Sequence, residues 1–74
     1  MLPDFNRLKV FYYVFSHSSV AGAAKELNIT SSAVSQALNK LEDELNVALF
    51  TRLHKKIVPT LAGEELFRIV LPFI

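Results

Sequence analysis

The stretch from Ser19 to Leu45 admits few arrangements, because it holds two short helical patterns separated only by Asn28, Ile29 and Thr30. In the second pattern Val34, Leu38, Leu41 and Leu45 recur at the steps that stack side chains on one side of an α-helix. Ser32, Ser35, Gln36, Asn39 and Lys40 fall on the opposite side, and none of them is apolar. In the first pattern Val20, Ala23, Ala24 and Leu27 form the inward face. The short side chains of Ala21, Gly22, Ala23 and Ala24 let a neighbouring helix approach closely. Gly22 costs about 1 kcal/mol of helix propensity relative to Ala, which packing must offset. Asn28 tolerates the left-handed conformation that ends many helices, Ile29 is expected to tuck beneath the turn, and Thr30 to cap the next helix. A turn this short fixes the angle between its two helices.

The flanking segments complete the outline. Phe5, Leu8, Phe11, Tyr12 and Phe15 recur at three- and four-residue steps, an amphipathic helix with Asp4 as its N-cap and Pro3 at its boundary. Val10, Tyr13 and Val14 widen the stripe, and the Tyr and Phe residues are read as core packing. The run Ser16 to Ser19 should break this helix, since short polar side chains compete for the backbone. His17 is then a loop histidine, and Ser19 or Ser18 caps the second helix. The third helix spans about Ser31 to Leu45, with Asn46 able to end it and Val47, Leu49 and Phe50 anchoring the return to the core. Glu42, Asp43 and Glu44 lie unfavourably beside its negative end and are expected to be solvated, with a capping or ion-pairing role open to Glu42. Residues 51–58 read as two short strands with a basic tip, closed by Pro59. Thr60 caps a fourth helix rich in Leu66, Phe67, Ile69, Val70 and Phe73, with no stop signal before Ile74 although Pro72 fits a helix poorly. Helix, helix, outward-facing helix, hairpin and helix in that order form a winged helix-turn-helix, a mainly α fold with a three-helix core.

At 74 residues the chain is one small domain near the lower limit for an adequate core, and without cysteine it has neither disulfide nor thiolate metal site. Two separated histidines, His17 and His54, do not make a zinc site, and no cofactor is implied. Stability must come from apolar packing. The 51% hydrophobic content exceeds what a small monomer readily hides, which points to a partner surface. A net charge of +1 is uninformative alone, but the cations Arg52, Lys55 and Lys56 lie together with no acid among them. No stretch has the signature of a signal peptide or a bilayer span, so the expected location is the cytoplasm. A Gly-rich phosphate loop, a spaced nucleophile–base pair and a metal ligand set are all missing from the sequence, which points away from catalysis.

The sequence also resembles the N-terminal DNA-binding region of the LysR-type transcriptional regulators. The resemblance rests on Ala23-Ala24, Leu27, Thr30, Ala33-Val34-Ser35, Leu38, Leu41-Glu42, Leu45, Leu49-Phe50 and Arg52, continued by Thr60, Ala62 and Gly63. Asn46 stands where the family usually has Gly, Ser31 where many members have Gln, and Asn39 where many have Arg. The last two changes lower the charge and reach of the outward face. The resemblance implies a dimeric transcription factor. Residues 1–59 would be the winged helix-turn-helix and residues 60–74 the start of a linker helix. That helix would dimerise through Leu66, Phe67, Ile69, Val70 and Phe73. It further implies a small-molecule effector domain beyond this chain.

Reach and charge assign the remaining roles on double-stranded DNA. Ser32, Ser35, Gln36 and Asn39 would meet base edges in the major groove, where Gln and Asn can each give adenine two hydrogen bonds. Thr30, Ser31 and the helix N-terminus, together with Lys40, suit phosphates. Arg52, Lys55 and Lys56, with His54 between them, would hold the adjacent backbone or enter the minor groove. A polar stripe on an amphipathic helix is more often a solvated face; the short turn before it and the basic hairpin after it reverse that judgement. The competing reading is a protein-interaction winged helix that works through its apolar fourth helix.

Overall fold

The computed structural model describes residues 5–53 and 56–74. Four helices and a hairpin follow in the expected order: α1 Phe5–His17, α2 Val20–Leu27, α3 Ser31–Leu45, β1 Phe50–Leu53, β2 Lys56–Pro59 and α4 Leu61–Val70, closed by a 3₁₀ turn at Leu71–Phe73. This is a winged helix-turn-helix. Each boundary has a local cause. The side-chain oxygens of Ser19, Thr30 and Thr60 accept from the backbone N–H of Gly22, Ala33 and Gly63, three residues on in each case. Asn28 and Asn46 end α2 and α3 in the left-handed conformation, at φ 58° and 55°. Their neighbours Ile29 and Val47 donate backward to the carbonyls of Ala24 and Glu42, which closes each helix end. The expected cap Asp4 and boundary residue Pro3 lie outside the described residues.

The core sits where α1, α2 and α3 meet, around Phe11, Val14, Ala23, Val34 and Leu41, all fully buried. Leu49, 1% exposed, seals it from the wing side. Each large aliphatic or aromatic side chain so buried contributes about 1.5–3 kcal/mol. Phe11, Phe15 and Phe50 form a ring cluster, and Phe15 stacks on Phe67 of α4 at 3.9 Å between centroids. Tyr12 lies parallel to the same Phe67 at 5.5 Å. The aromatic stripe of α1 thus ties α4 and the wing to the bundle.

Several expectations change. The polar run does end α1, but only at its third residue: the helix continues through His17 and turns at Ser18, φ 52°. His17 is therefore a helix-end residue; its ring faces Tyr13, and its Nε2 lies 3.5 Å from Glu26 Oε1 on α2. It also occupies the space beside Gly22, where a β-carbon would sit 3.1 Å from the His17 Cβ. Ile29 and Val47, each directly after a left-handed residue, stay exposed rather than tucking into the core. Phe5 and Phe73 also lie outside the core, at the borders of an apolar groove of about 540 Å³ shared with Leu8 and Leu45. The fourth helix does stop before Ile74, at Val70, where Pro72 forces the tighter 3₁₀ turn.

Strands β1 and β2 pair antiparallel, Phe50 opposite Pro59 and Arg52 opposite Ile57. Their root is clamped by Thr60, whose N–H donates to the Leu49 carbonyl at 2.9 Å and whose hydroxyl donates to the Ala48 carbonyl at 2.6 Å. One turn later Gly63 lies so close that any β-carbon there would collide with the Leu49 carbonyl oxygen. Gly63→Ala should therefore destabilise the domain by about 1–3 kcal/mol, the range for overpacked sites. A thermal melt matching the unsubstituted chain would contradict this close approach.

Candidate nucleic-acid interface

Helix α3 presents its two faces as the spacing requires. Val34, Leu38 and Leu41 are buried, Leu45 is half-buried, and Ser31, Ser32, Gln36, Asn39 and Lys40 are exposed. Ser35 is half-buried and stands on the same side as Asn39. Thr30 caps the helix with its hydroxyl oxygen 3.0 Å from the Ala33 nitrogen. The opening turn leaves backbone N–H groups at Ser31 and Ser32 directed out of the helix end. The positive pole of the helix dipole adds to them, so this end is suited to an anion.

The hairpin lies beside this face. Cross-strand register puts Arg52 on the same side of the sheet as Phe50, Ile57 and Pro59, the side turned toward the bundle. Arg52 accordingly lines a cleft with Ser35 and Asn39 of α3. A second shallow pocket brings Arg52 and Lys56 against Ser18, Ser19 and Ala21 at the start of α2. The structure thus joins Arg52 to the outward side of α3, whereas charge counting along the sequence places it with the wing alone. His54 and Lys55 lie outside the described residues.

Of the three acids at the end of α3, Asp43 is exposed as expected, whereas Glu42 and Glu44 are held by partners. Glu42 Oε2 accepts from the Leu49 N–H at 2.7 Å and the Phe50 N–H at 3.3 Å. Glu44 forms an ion pair with Arg7 of α1. These partners offset the unfavourable position of both carboxylates beside the negative helix end. Sequence reasoning gives Glu42 a capping role without finding its partner; the Leu-Glu step followed by Leu49-Phe50 is the one available signal.

The fourth helix divides its apolar residues. Val70 is buried, and Phe67 is half-buried against Phe15 and Tyr12, so both belong to the domain's own packing. Ile69 and Phe73 are exposed, at 64% and 75%, with Leu66 half-buried between the two sets. Among the described residues no helix is long and apolar enough to cross a membrane, and no cluster of acids and histidines could hold a metal ion.

A bundle of three helices with an outward-facing third helix and a two-stranded wing defines the winged helix-turn-helix class. Residues 5–64 match the bacterial regulatory helix-turn-helix proteins of the lysR family, and the chain belongs to that family. It is 46% identical over 67 residues to the RuBisCO operon transcriptional regulator of Allochromatium vinosum, an alignment covering 90% of this chain and 22% of that protein. The fold matches the CbnR DBD–DNA complex with a TM-score of 0.89 at 30% identity, over 95% of this chain and 80% of that one. A LysR-family transcriptional regulator from Eggerthella lenta matches with a TM-score of 0.82 at 43% identity, over 97% and 99% of the two chains. This chain spans about a fifth of the length of the curated relatives it matches.

Proposed function

We propose that this chain is the DNA-binding part of a LysR-type transcriptional regulator, with α3 in the major groove and the wing on the neighbouring backbone or minor groove. The observation that carries this reading is the outward face of α3. Its apolar residues are consumed by the core, while its serine, amide and lysine side chains remain exposed beside Arg52. Ser32, Ser35, Gln36 and Asn39 read base edges. Thr30, Ser31 and Lys40 hold phosphates, and Arg52, His54, Lys55 and Lys56 grip the flanking backbone.

In this reading residues 1–59 form the DNA-binding domain and residues 60–74 begin the linker helix. The domain binds as a cytoplasmic homodimer without catalytic activity. Ile69 with Leu66 of α4, and Phe73 of the 3₁₀ turn after it, form the surface exposed to a twin, whereas Phe67 and Val70 support it from within. An effector, where one acts, binds a further domain of the whole regulator.

Selection of bound duplexes from a random library should yield a two-fold symmetric site, and binding should weaken with salt at a log–log slope of about −0.9 per phosphate contact. Lack of duplex binding at low salt, or a salt-insensitive interaction, overturns the reading and favours a protein-interaction winged helix that works through its apolar fourth helix. Gln36→Ala should cost about 1–3 kcal/mol at one base position and relax preference there; equal losses on selected and random duplexes would remove Gln36 from base reading. Replacing Lys55 and Lys56 together with Ala should weaken binding to every sequence and flatten the salt slope. An unaltered slope would take the wing tip out of the interface.

A further inference from the structure

Glu42 occupies an unexpected place for an acid. It lines the cleft that contains Ser35, Asn39 and Arg52, on the side of the molecule that would meet a polyanion. A free carboxylate there would repel phosphate. Its Oε2 is instead engaged by two backbone N–H groups, those of Leu49 and Phe50, which are the first peptide groups of the wing. With Glu42 in place Leu49 is 1% exposed, and shortening Glu42 would take from its N–H a charged acceptor at 2.7 Å. A two-stranded hairpin is marginal by itself, so the direction of this wing depends on what holds its root. Thr60 holds that root from the α4 side, and Glu42 holds it from the recognition helix.

We propose that Glu42 is a positioning residue for DNA binding: its carboxylate fixes the wing root to α3, so that Arg52 and Lys56 meet the same duplex as Ser35 and Asn39. The inference rests on the DNA-binding reading above. It predicts an effect opposite in sign to simple electrostatics. Deleting a negative charge beside a DNA surface should tighten binding, whereas releasing the wing should loosen it.

The test measures binding of this chain to a fluorescein-labelled random-sequence duplex across a series of KCl concentrations. Arg52→Ala combined with Lys56→Ala should flatten the log–log slope by about 0.9 for each phosphate no longer neutralised. Glu42→Ala should weaken binding at low salt and flatten the slope by a similar amount, with helical content unchanged by circular dichroism. Glu42→Gln, neutral but still an acceptor, should restore the slope. The triple substitution should be no flatter than the wing pair, because both routes release the same phosphates.

Four results would overturn the proposal: tighter binding or an unaltered slope in Glu42→Ala, failure of Gln to restore it, or additive losses in the triple variant. If Glu42→Ala does not fold, Glu42→Asp decides, since its shorter side chain cannot reach both N–H groups at once. A folded Asp variant with a flattened slope supports the role, and one with the unsubstituted slope refutes it. If the unsubstituted chain binds no duplex, the underlying DNA reading fails, and this inference with it; binding with an indifferent Glu42 removes only the inference.

Discussion

Everything beyond the three-helix bundle hangs on the peptide groups around Leu49. Its side chain is buried in the core, its N–H reaches back to Glu42 on α3, and its carbonyl accepts from Thr60 at the head of α4. The Ala48 carbonyl on one side and the Phe50 N–H on the other repeat the same two connections. One extended segment is therefore shared by α3, the wing and α4. The absence of a β-carbon at Gly63 makes room for this close approach. Each of these backbone groups is paired with a group from another element, so the surrounding side chains have little freedom to change.

With no disulfide or thiolate metal site available, packing and caps carry the stability. A small domain buries a modest fraction of its surface, so each well-filled position is a sizeable share of the total. Phe11 meets Phe15 and Phe50, and Phe15 meets Phe67, which joins three elements through one ring cluster. The same three-residue capping pattern recurs at Ser19, Thr30 and Thr60, each a helix start. The apolar excess evident in the composition is not hidden by this chain. Phe5, Ile69 and Phe73 remain exposed around a single groove.

What the sequence revealed was mostly local. The limits of α3, its caps Thr30 and Asn46, the hairpin and Pro59 at its end all follow from spacing and from residues with strong conformational preferences. The misreadings fell where a distant contact overrides local chemistry. The run Ser16 to Ser19 does end α1, but His17 looks like a loop residue and is helical, with its ring stacked on Tyr13 and its Nε2 near Glu26 of α2. Ile29 and Val47 look like anchors, yet both are exposed at the helix ends that Asn28 and Asn46 close. Glu44 looks like a solvated acid because its partner Arg7 lies far off in the chain. The capping role open to Glu42 has no visible partner for the same reason, since Leu49 and Phe50 come seven and eight residues later. For the interface, the outward face of α3 was legible from period alone. That Arg52 stands beside it was not, because this depends on the register of the strand pair.

Of the described residues, Ser18, Asn28 and Asn46 adopt positive φ, while both glycines sit at tight contacts and have ordinary negative φ. The usual assignment of glycine to corners is thus reversed. A glycine at a corner leaves the denatured chain many more conformations to surrender on folding than an asparagine does. Corners made from Asn and Ser therefore limit the disorder of the unfolded ensemble, at some cost in local backbone energy. For a chain this short, part of the stability of the helix-turn-helix lies in the state it leaves behind rather than in any contact of the folded one.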